Sequence, residues 1–189
     1  PEFFLTARDA FNGTVLWKRP LHDWFNSLYP LKHCPGWLPR RLVAVGNRVY
    51  IAPGINQELL CLDAKTGQVL QTYEDTATTF ELIVSDGVVF AAVDEDREAV
   101  DYQQQHPNCW KERDRASSRW AWTPDQGTRV LKAIEAETGK VLWEHTGPVM
   151  PLTLAADDRM VCFDDGGSIV ALDRNSGDKL WSADVMRMG

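Results

Sequence analysis

The run Val170-Ala-Leu-Asp-Arg-Asn-Ser-Gly-Asp-Lys-Leu-Trp181 decides the fold, because closely similar runs occur three times earlier in the chain. Those runs are Thr6–Trp17, Leu60–Gln71 and Lys132–Trp143. A unit this short cannot bury its own apolar side, so its recurrence predicts that the copies pack on one another. We therefore expect a repeat protein whose function lies where the copies differ.

Each copy predicts a β-hairpin, because an alternating apolar strand runs into a polar turn closed by glycine and leaves as a second strand. A second hairpin precedes three of the copies, at residues 42–52, 82–93 and 152–163. Two hairpins make a four-stranded antiparallel sheet. Gly139 and Gly177 are 38 positions apart, a spacing close to the length of one propeller blade.

The four copies resemble the repeat of the quinoprotein-type (PQQ-like) β-propellers, Ala-x-Asp-x-x-(Thr/Ser)-Gly-x-x-x-Trp. This resemblance implies that the tryptophan packs between the small residue and the turn glycine of a neighbouring blade, so the motif is structural. The second copy departs from it at Cys61 and Gln71, where we expect a weaker blade contact. The expected docking residues are Ala7, Gly13, Trp17, Gly67, Ala133, Gly139, Trp143, Ala171, Gly177 and Trp181.

The predicted fold class is all-β, a partial β-propeller of about three and a half four-stranded antiparallel blades. Residues 1–189 form a single propeller segment, in which the first copy lacks its leading hairpin. Closed propellers have about four to eight blades, so we expect a second copy of the chain, or sequence beyond these residues, to cover the open edges. The blades are assigned to residues 1–17, 40–73, 80–143 and 150–183.

Two long insertions interrupt the repeats, at residues 18–39 and 94–128. Because strands alternate in direction, the tight turns are predicted on one face of the segment and both insertions on the other. Loops of this length are often functional. We therefore expect the partner surface on the face with the insertions.

The insertions collect the aromatic and imidazole side chains. Their indoles could stack on a sugar, a quinone or a peptide, or could instead form the small core that holds a long loop together. Trp120 and Trp122 alternate along the chain and so point to one side. Arg113 and Arg119 suit a carboxylate or sulfate, and Cys34 and Cys109 could pair. The candidate ligand-binding residues are Trp110, Trp120, Trp122, Trp24, Trp37, Arg113, Arg119, His33, His106 and His145.

Composition excludes several classes of function. The chain is 44% hydrophobic, and no apolar run is long enough to span a bilayer. A formal net charge of -7 argues against a nucleic-acid partner. The histidines show no metal-ligand spacing. The sequence has neither the adjacent cysteine pair that the resemblance associates with PQQ nor the Cys-x-x-Cys-His motif of attached haem, so it gives no support for either cofactor.

We predict a binding or scaffolding module that takes a protein, peptide or glycan ligand through the insertions. Two alternatives stay open. One is part of a quinoprotein-like oxidoreductase or another propeller enzyme, with His33, His106 and His145 near a ligand or metal. The other is a carbohydrate-binding module that uses exposed tryptophans. The resemblance implies a periplasmic or extracellular location, while a repeat of this kind does not fix an activity.

Overall fold

The computed structural model describes residues 3–21, 38–54, 57–95, 129–150 and 152–185. These residues form β-strands joined by turns, with one short 3₁₀ helix at Leu38–Arg41, so the predicted all-β class is confirmed. The strands are β1 (Phe3–Arg8), β2 (Val15–Leu21), β3 (Leu42–Val45), β4 (Arg48–Ile51), β5 (Leu59–Asp63), β6 (Val69–Tyr73), β7 (Thr79–Ser85), β8 (Val88–Asp94), β9 (Arg129–Glu135), β10 (Val141–Thr146), β11 (Ala155–Ala156), β12 (Met160–Asp164), β13 (Ser168–Asp173) and β14 (Lys179–Asp184).

The strands form four antiparallel sheets in chain order. The first sheet has two strands, β1 and β2, and the others have four each: β3 to β6, β7 to β10 and β11 to β14. The first strands of successive four-stranded sheets lie side by side, since β7 contacts both β3 and β11. This arrangement is an unclosed propeller segment of three and a half blades, as the repeats predict.

The strand ends place the start of the first insertion later than its predicted boundary. Strand β2 continues through Lys18 to Leu21, pairing Leu21 with Phe3. Strand β8 ends at Asp94, which pairs with Arg129 at the start of β9. The sheets therefore include residues 18–21 and Asp94, the first residue of the second predicted insertion.

Tight turns close one end of every sheet, which we call the tight-turn face. In each four-stranded sheet, the residue after the motif acid (Asp63, Glu135 or Asp173) donates its backbone N–H to a backbone carbonyl in the turn between the first two strands. The pairs are Ala64 to Asn47, Ala136 to Gly87 and Arg174 to Arg159, at 2.8, 2.8 and 3.0 Å. These bonds tie both turns of a sheet together.

Apolar residues fill the spaces between the sheets. One cluster joins the second and third sheets around Tyr73 and Leu82, and another joins the third and fourth around Phe90 and Phe163. All four side chains are 0 or 1% exposed. The sheets are therefore held together by burial of apolar area across each boundary.

A tryptophan packs on the next sheet's turn glycine at two boundaries. Ring atom Cδ2 of Trp17 lies 2.7 Å from where a Cβ on Gly67 would be, and the same atom of Trp143 lies 2.8 Å from that point on Gly177. Only glycine leaves room for an indole this close, and its φ of 71° or 75° also favours glycine. The Trp17 and Trp143 Nε1–H groups donate to motif carbonyls, Ala64 O at 2.9 Å and Arg174 O at 2.7 Å.

The boundary between the second and third sheets uses a different donor. Gln71 stands where the motif has tryptophan and lies over Gly139. Two residues further along β6, the fully buried Tyr73 donates its hydroxyl to Ala136 O at 2.8 Å. Ala136 follows the motif acid, as Ala64 and Arg174 do, so Tyr73 supplies the hydrogen bond that an indole supplies elsewhere. The weaker contact expected at Gln71 thus has a specific compensation.

Two arginines also cross sheet boundaries. Arg174, 6% exposed, donates to Asp157 O at 2.7 Å and to Ser85 Oγ at 3.1 Å, and its guanidinium lies 5.5 Å from the centroid of the Phe90 ring. Arg48 pairs with Glu137 at 2.7 Å between the second and third sheets. Because Arg174 is buried and multiply bonded, it contributes more than an exposed pair of this kind.

Every motif hairpin carries a β-bulge at the residue before the last motif position, which is tryptophan in three copies and Gln71 in the second. The register shifts there in all four sheets, and the extra residue is always a leucine. The bulge turns this side chain outward, leaving it 42 to 52% exposed. Bulges on edge strands hinder pairing with another chain, so the repeat protects its own outer edges. The bulged residues are Leu16, Leu70, Leu142 and Leu180.

Candidate functional site

Most residues predicted to bind a ligand lie outside the described residues. They are Trp24, Trp37, Trp110, Trp120, Trp122, Arg113, Arg119, His33 and His106, and Cys34 and Cys109 lie outside them as well. The structure does describe the points where the chain enters and leaves both insertions. Those points form the candidate site, and we call them the insertion roots: Leu21, Leu38–Arg41, Asp94–Glu95 and Arg129.

All the insertion roots lie at the ends of strands opposite the tight-turn face. Strand β2 leaves the tight turn at residues 9–14 and ends at Leu21, and β8 leaves the turn at Asp86 and ends at Asp94. The 3₁₀ helix precedes β3, and Arg129 begins β9. Both of these strands run toward the tight-turn face. We call this opposite side the insertion face.

The connection between β10 and β11 contacts one root of each insertion, Arg40 and Arg129. We call its residues 147–150 and 152–154 the connecting segment. Arg129 Nη1 donates to Val149 O at 3.1 Å, and the backbone carbonyl of Arg129 accepts the N–H of Gly147 at 3.0 Å. Arg40 donates from Nη1 to Leu154 O at 3.3 Å. A root of each insertion thus holds the same piece of backbone.

Glu81 contacts the connecting segment from the third sheet. Its carboxylate accepts the backbone N–H of Leu152 at 2.7 Å and of Leu154 at 3.3 Å, and Oε1 lies 3.6 Å from Arg40 Nη1. The Glu81 side chain is 0% exposed. Burial raises the pKa of this carboxyl, although the hydrogen bonds and Arg40 act in the other direction.

Basic and acidic side chains alternate around the root of the second insertion. Arg129 Nη2 lies 3.9 Å from Asp94, and its guanidinium packs 5.0 Å from the centroid of the Phe80 ring. Lys132 on β9 is almost fully buried, with Nζ 3.1 Å from Glu144 and 3.8 Å from Glu95. The positive charges at this root are therefore neutralised locally, which permits their burial.

His145 is the one predicted ligand-binding residue that the structure describes. It lies on β10 between the third and fourth sheets, where its ring contacts Phe163 at a centroid distance of 5.6 Å. Burial lowers its pKa, and nearby Lys179 lowers it further, so the neutral imidazole is favoured. Its position makes it a packing residue beside the connecting segment. The described residues contain no group of three or more metal-ligating side chains.

Sequence reasoning did not identify Arg40, Glu81, Arg129 or Tyr73. None of them falls on a motif position, and the side-chain hydrogen bonds described above join residues 20 to 114 positions apart in sequence. A buried glutamate within the apolar run of β7 is the one local signal, because a charged residue there requires partners from elsewhere in the fold. The partners themselves become visible only once the sheets are assembled.

Comparisons with known proteins define the class. A family model described as outer membrane protein assembly factor BamB matches residues 3–121 and 116–187. The chain belongs to this family of PQQ-like β-propeller repeat proteins. No protein of curated function matches the chain in sequence.

Three solved structures illustrate the fold. BamB from Moraxella catarrhalis has a TM-score of 0.57 and 16% identity, covering 96% of this chain and 42% of its own. Quinohemoprotein alcohol dehydrogenase from Comamonas testosteroni has a TM-score of 0.55 and 13% identity, with 97% and 33% covered. The computationally designed Ika4 protein has a TM-score of 0.51 and 17% identity, with 77% and 71% covered. This chain therefore spans less than half of the two natural proteins.

No helix within the described ranges is both long enough and apolar enough to cross a bilayer.

Proposed function

We propose that this propeller segment is a binding or scaffolding module that takes a protein or peptide partner on its insertion face. The single observation that carries the proposal is that Arg40 and Arg129, from the roots of different insertions, hold one connecting segment. Two insertions rooted at one place can act on one ligand. The match to a family described as an outer membrane protein assembly factor also supports a scaffolding role.

The residues proposed to contact the partner are the aromatic and basic side chains of the insertions. Trp120 and Trp122 would stack on aromatic or apolar groups, while Arg113 and Arg119 would receive carboxylates. Such a set favours a peptide that combines apolar and acidic residues. A glycan would use the indoles with little help from the arginines, which makes it the second choice.

The proposed location is extracytoplasmic. The family description refers to outer membrane protein assembly, and this is the support for the proposal. A fusion of the full natural protein to a reporter that is active only outside the cytoplasm tests it. An active reporter is expected, and activity found only with a cytoplasmic reporter contradicts the proposal.

The test of partner binding starts from a random peptide library displayed on phage and selected on the immobilised chain. A selected peptide is then titrated calorimetrically against the wild type and against the double variant Trp120→Ala, Trp122→Ala. Loss of roughly 2 kcal/mol or more of binding free energy is expected, since aromatic anchors carry most of the energy at such interfaces. The matched control is Phe11→Ala, because Phe11 is 99% exposed on the tight-turn face.

Two outcomes contradict the module. One is a selected peptide that binds the double variant with unchanged affinity. The other is a purified protein whose absorption spectrum shows a bound quinone, or whose elemental analysis shows a stoichiometric metal, since either favours the quinoprotein-like enzyme. A glycan array serves as the third arm, and selective glycan binding without peptide binding favours the carbohydrate-binding alternative.

We also propose that two copies of this 189-residue chain pair through the open ends of the segment. Trp181 is 43% exposed on the fourth sheet, against 8% for Trp143 at the same motif position. At the other end, none of the residues that the structure describes lies within 4 Å of a Cβ built on Gly13. Light scattering at high concentration is expected to give twice the 21.4 kDa of one chain, falling to one chain for Trp181→Ala. A wild-type monomer removes this proposal.

A further inference from the structure

Leu152, in the segment that leads into the fourth sheet, has an unusual backbone conformation for a leucine. Leu152 has φ of 65°, in the left-handed region that a leucine adopts only at a cost. Its N–H and that of Leu154 both point to the carboxylate of Glu81, and the N–H of Thr153 also lowers the pKa of that carboxyl. Successive N–H groups converging in this way form a nest, a known backbone arrangement for anions.

The Glu81 carboxylate in the nest lies beside a positive charge and is buried from water. Arg40 Nη1 approaches Glu81 Oε1 to 3.6 Å and also holds Leu154 O. A buried carboxylate is tolerated only where donors and charge replace its water, and these groups do so. The donors come from the 3₁₀ helix that precedes the second sheet and from the connecting segment that precedes the fourth, whereas Glu81 belongs to the third sheet. The contact therefore joins segments next to three successive sheets.

A bulge directs Glu81 into this position. The register of β7 with β8 shifts between Thr79 and Glu81, so the strand bends at the end that faces the connecting segment. Bulges commonly re-aim a side chain. The bulge in β7 and the strained Leu152 before β11 thus serve the same contact.

We infer that residues 152–154 form a carboxylate-binding nest, that Glu81 fills it from the neighbouring sheet, and that this contact fixes the connecting segment between the two insertion roots. Glu81 is then a positioning residue for the insertion face. Its importance for partner binding rests on the proposed function, whereas the nest and its occupation do not.

The nest makes a chemical prediction that ordinary packing does not. The variant Glu81→Ala lacks the side-chain methylene and carboxylate, together the size of acetate, while the N–H donors and Arg40 remain. Acetate or formate should then bind in the vacated nest and restore its bonds. Chloride at equal ionic strength lacks the planar pair of oxygens and should do less.

The experiment compares the full chain as wild type, Glu81→Ala and Glu81→Gln, in acetate and in chloride at constant ionic strength and pH. Thermal unfolding gives stability, and hydrogen exchange reports on residues 147–154. For Glu81→Ala we expect an unfolding temperature about 5 °C or more below wild type, at least half recovered in acetate together with slower exchange of the segment. The control is Glu137→Ala, which removes a carboxylate whose side chain is 72% exposed and which should not respond to acetate.

Equal behaviour of Glu81→Ala in acetate and chloride would overturn the inference. If Glu81→Ala does not fold, Glu81→Gln decides. Its amide fills the space but cannot accept all the N–H bonds, so faster exchange of residues 152–154 is expected, and exchange equal to wild type overturns the inference. Because no partner is present in these measurements, failure of the proposed function leaves their result untouched.

Discussion

Replacing Tyr73 by phenylalanine removes one hydroxyl group and leaves the ring in place. Tyr73 is 0% exposed, and its hydroxyl donates to Ala136 O at 2.8 Å across the boundary of the second and third sheets. The variant leaves that buried carbonyl without this donor. Losing a partner in this way costs about 1 to 3 kcal/mol.

For a chain of this size, each kcal/mol lowers the unfolding temperature by about 2 to 4 °C, so Tyr73→Phe should unfold about 2 to 12 °C below wild type. The assay is urea unfolding, supported by a thermal scan. The control Phe11→Leu changes an exposed residue and should stay within about 0.5 kcal/mol. A Tyr73→Phe variant as stable as the control would refute the argument that Tyr73 replaces the indole donor.

Three further predictions concern stability. At a protein concentration where the chain is monomeric, Trp143→Ala should cost about 3 to 5 kcal/mol in urea unfolding and Trp181→Ala less than about 1, because burial in the single chain differs at the same motif position. Equal costs would contradict the docking account. Arg174→Met should lower the free energy of unfolding by about 2 kcal/mol, because hydrogen bonds from a charged group are stronger than neutral ones, whereas the exposed Arg159→Met should change it very little. Similar unfolding midpoints for the two variants would contradict this role of Arg174. Backbone N–H bonds lower the pKa of Asp173, so its contribution is present above the unfolded pKa of about 3.9 and is lost as pH falls through the folded one. Unfolding at pH 3 and 6 should therefore show a smaller acid loss for Asp173→Asn than for wild type, and an equal loss would count against it.

The motif hairpins could be predicted from sequence because their signals are local. The alternating strands, the polar turn and Gly67 or Gly177 stand within a dozen residues of one another, and together they specify a hairpin. The docking geometry at Gly67 and Gly177 needed the family resemblance as well. Strand β2 extends past its predicted end, since Lys18 pairs with Thr6 and Arg19 with Leu5 of β1.

The contacts between sheets could not be predicted in this way. Tyr73 lies two residues past the motif position, and nothing local indicates that its hydroxyl reaches Ala136, 63 residues away. Glu81 meets Leu152 across 71 residues of sequence. Such contacts form only once the sheets pack side by side, and that packing depends on all the boundaries between sheets together. The insertion residues predicted to bind a ligand remain predictions.

The most direct test of the insertion face removes one insertion without disturbing the sheet. Asp94 and Arg129 are paired across β8 and β9, so a short glycine–serine turn can join Glu95 to Arg129 in place of residues 96–128. Calorimetric titration with the selected peptide then compares this variant with the wild type. We predict cooperative unfolding within a few degrees of wild type and loss of peptide binding, whereas a folded variant that binds the peptide with undiminished affinity would contradict the account.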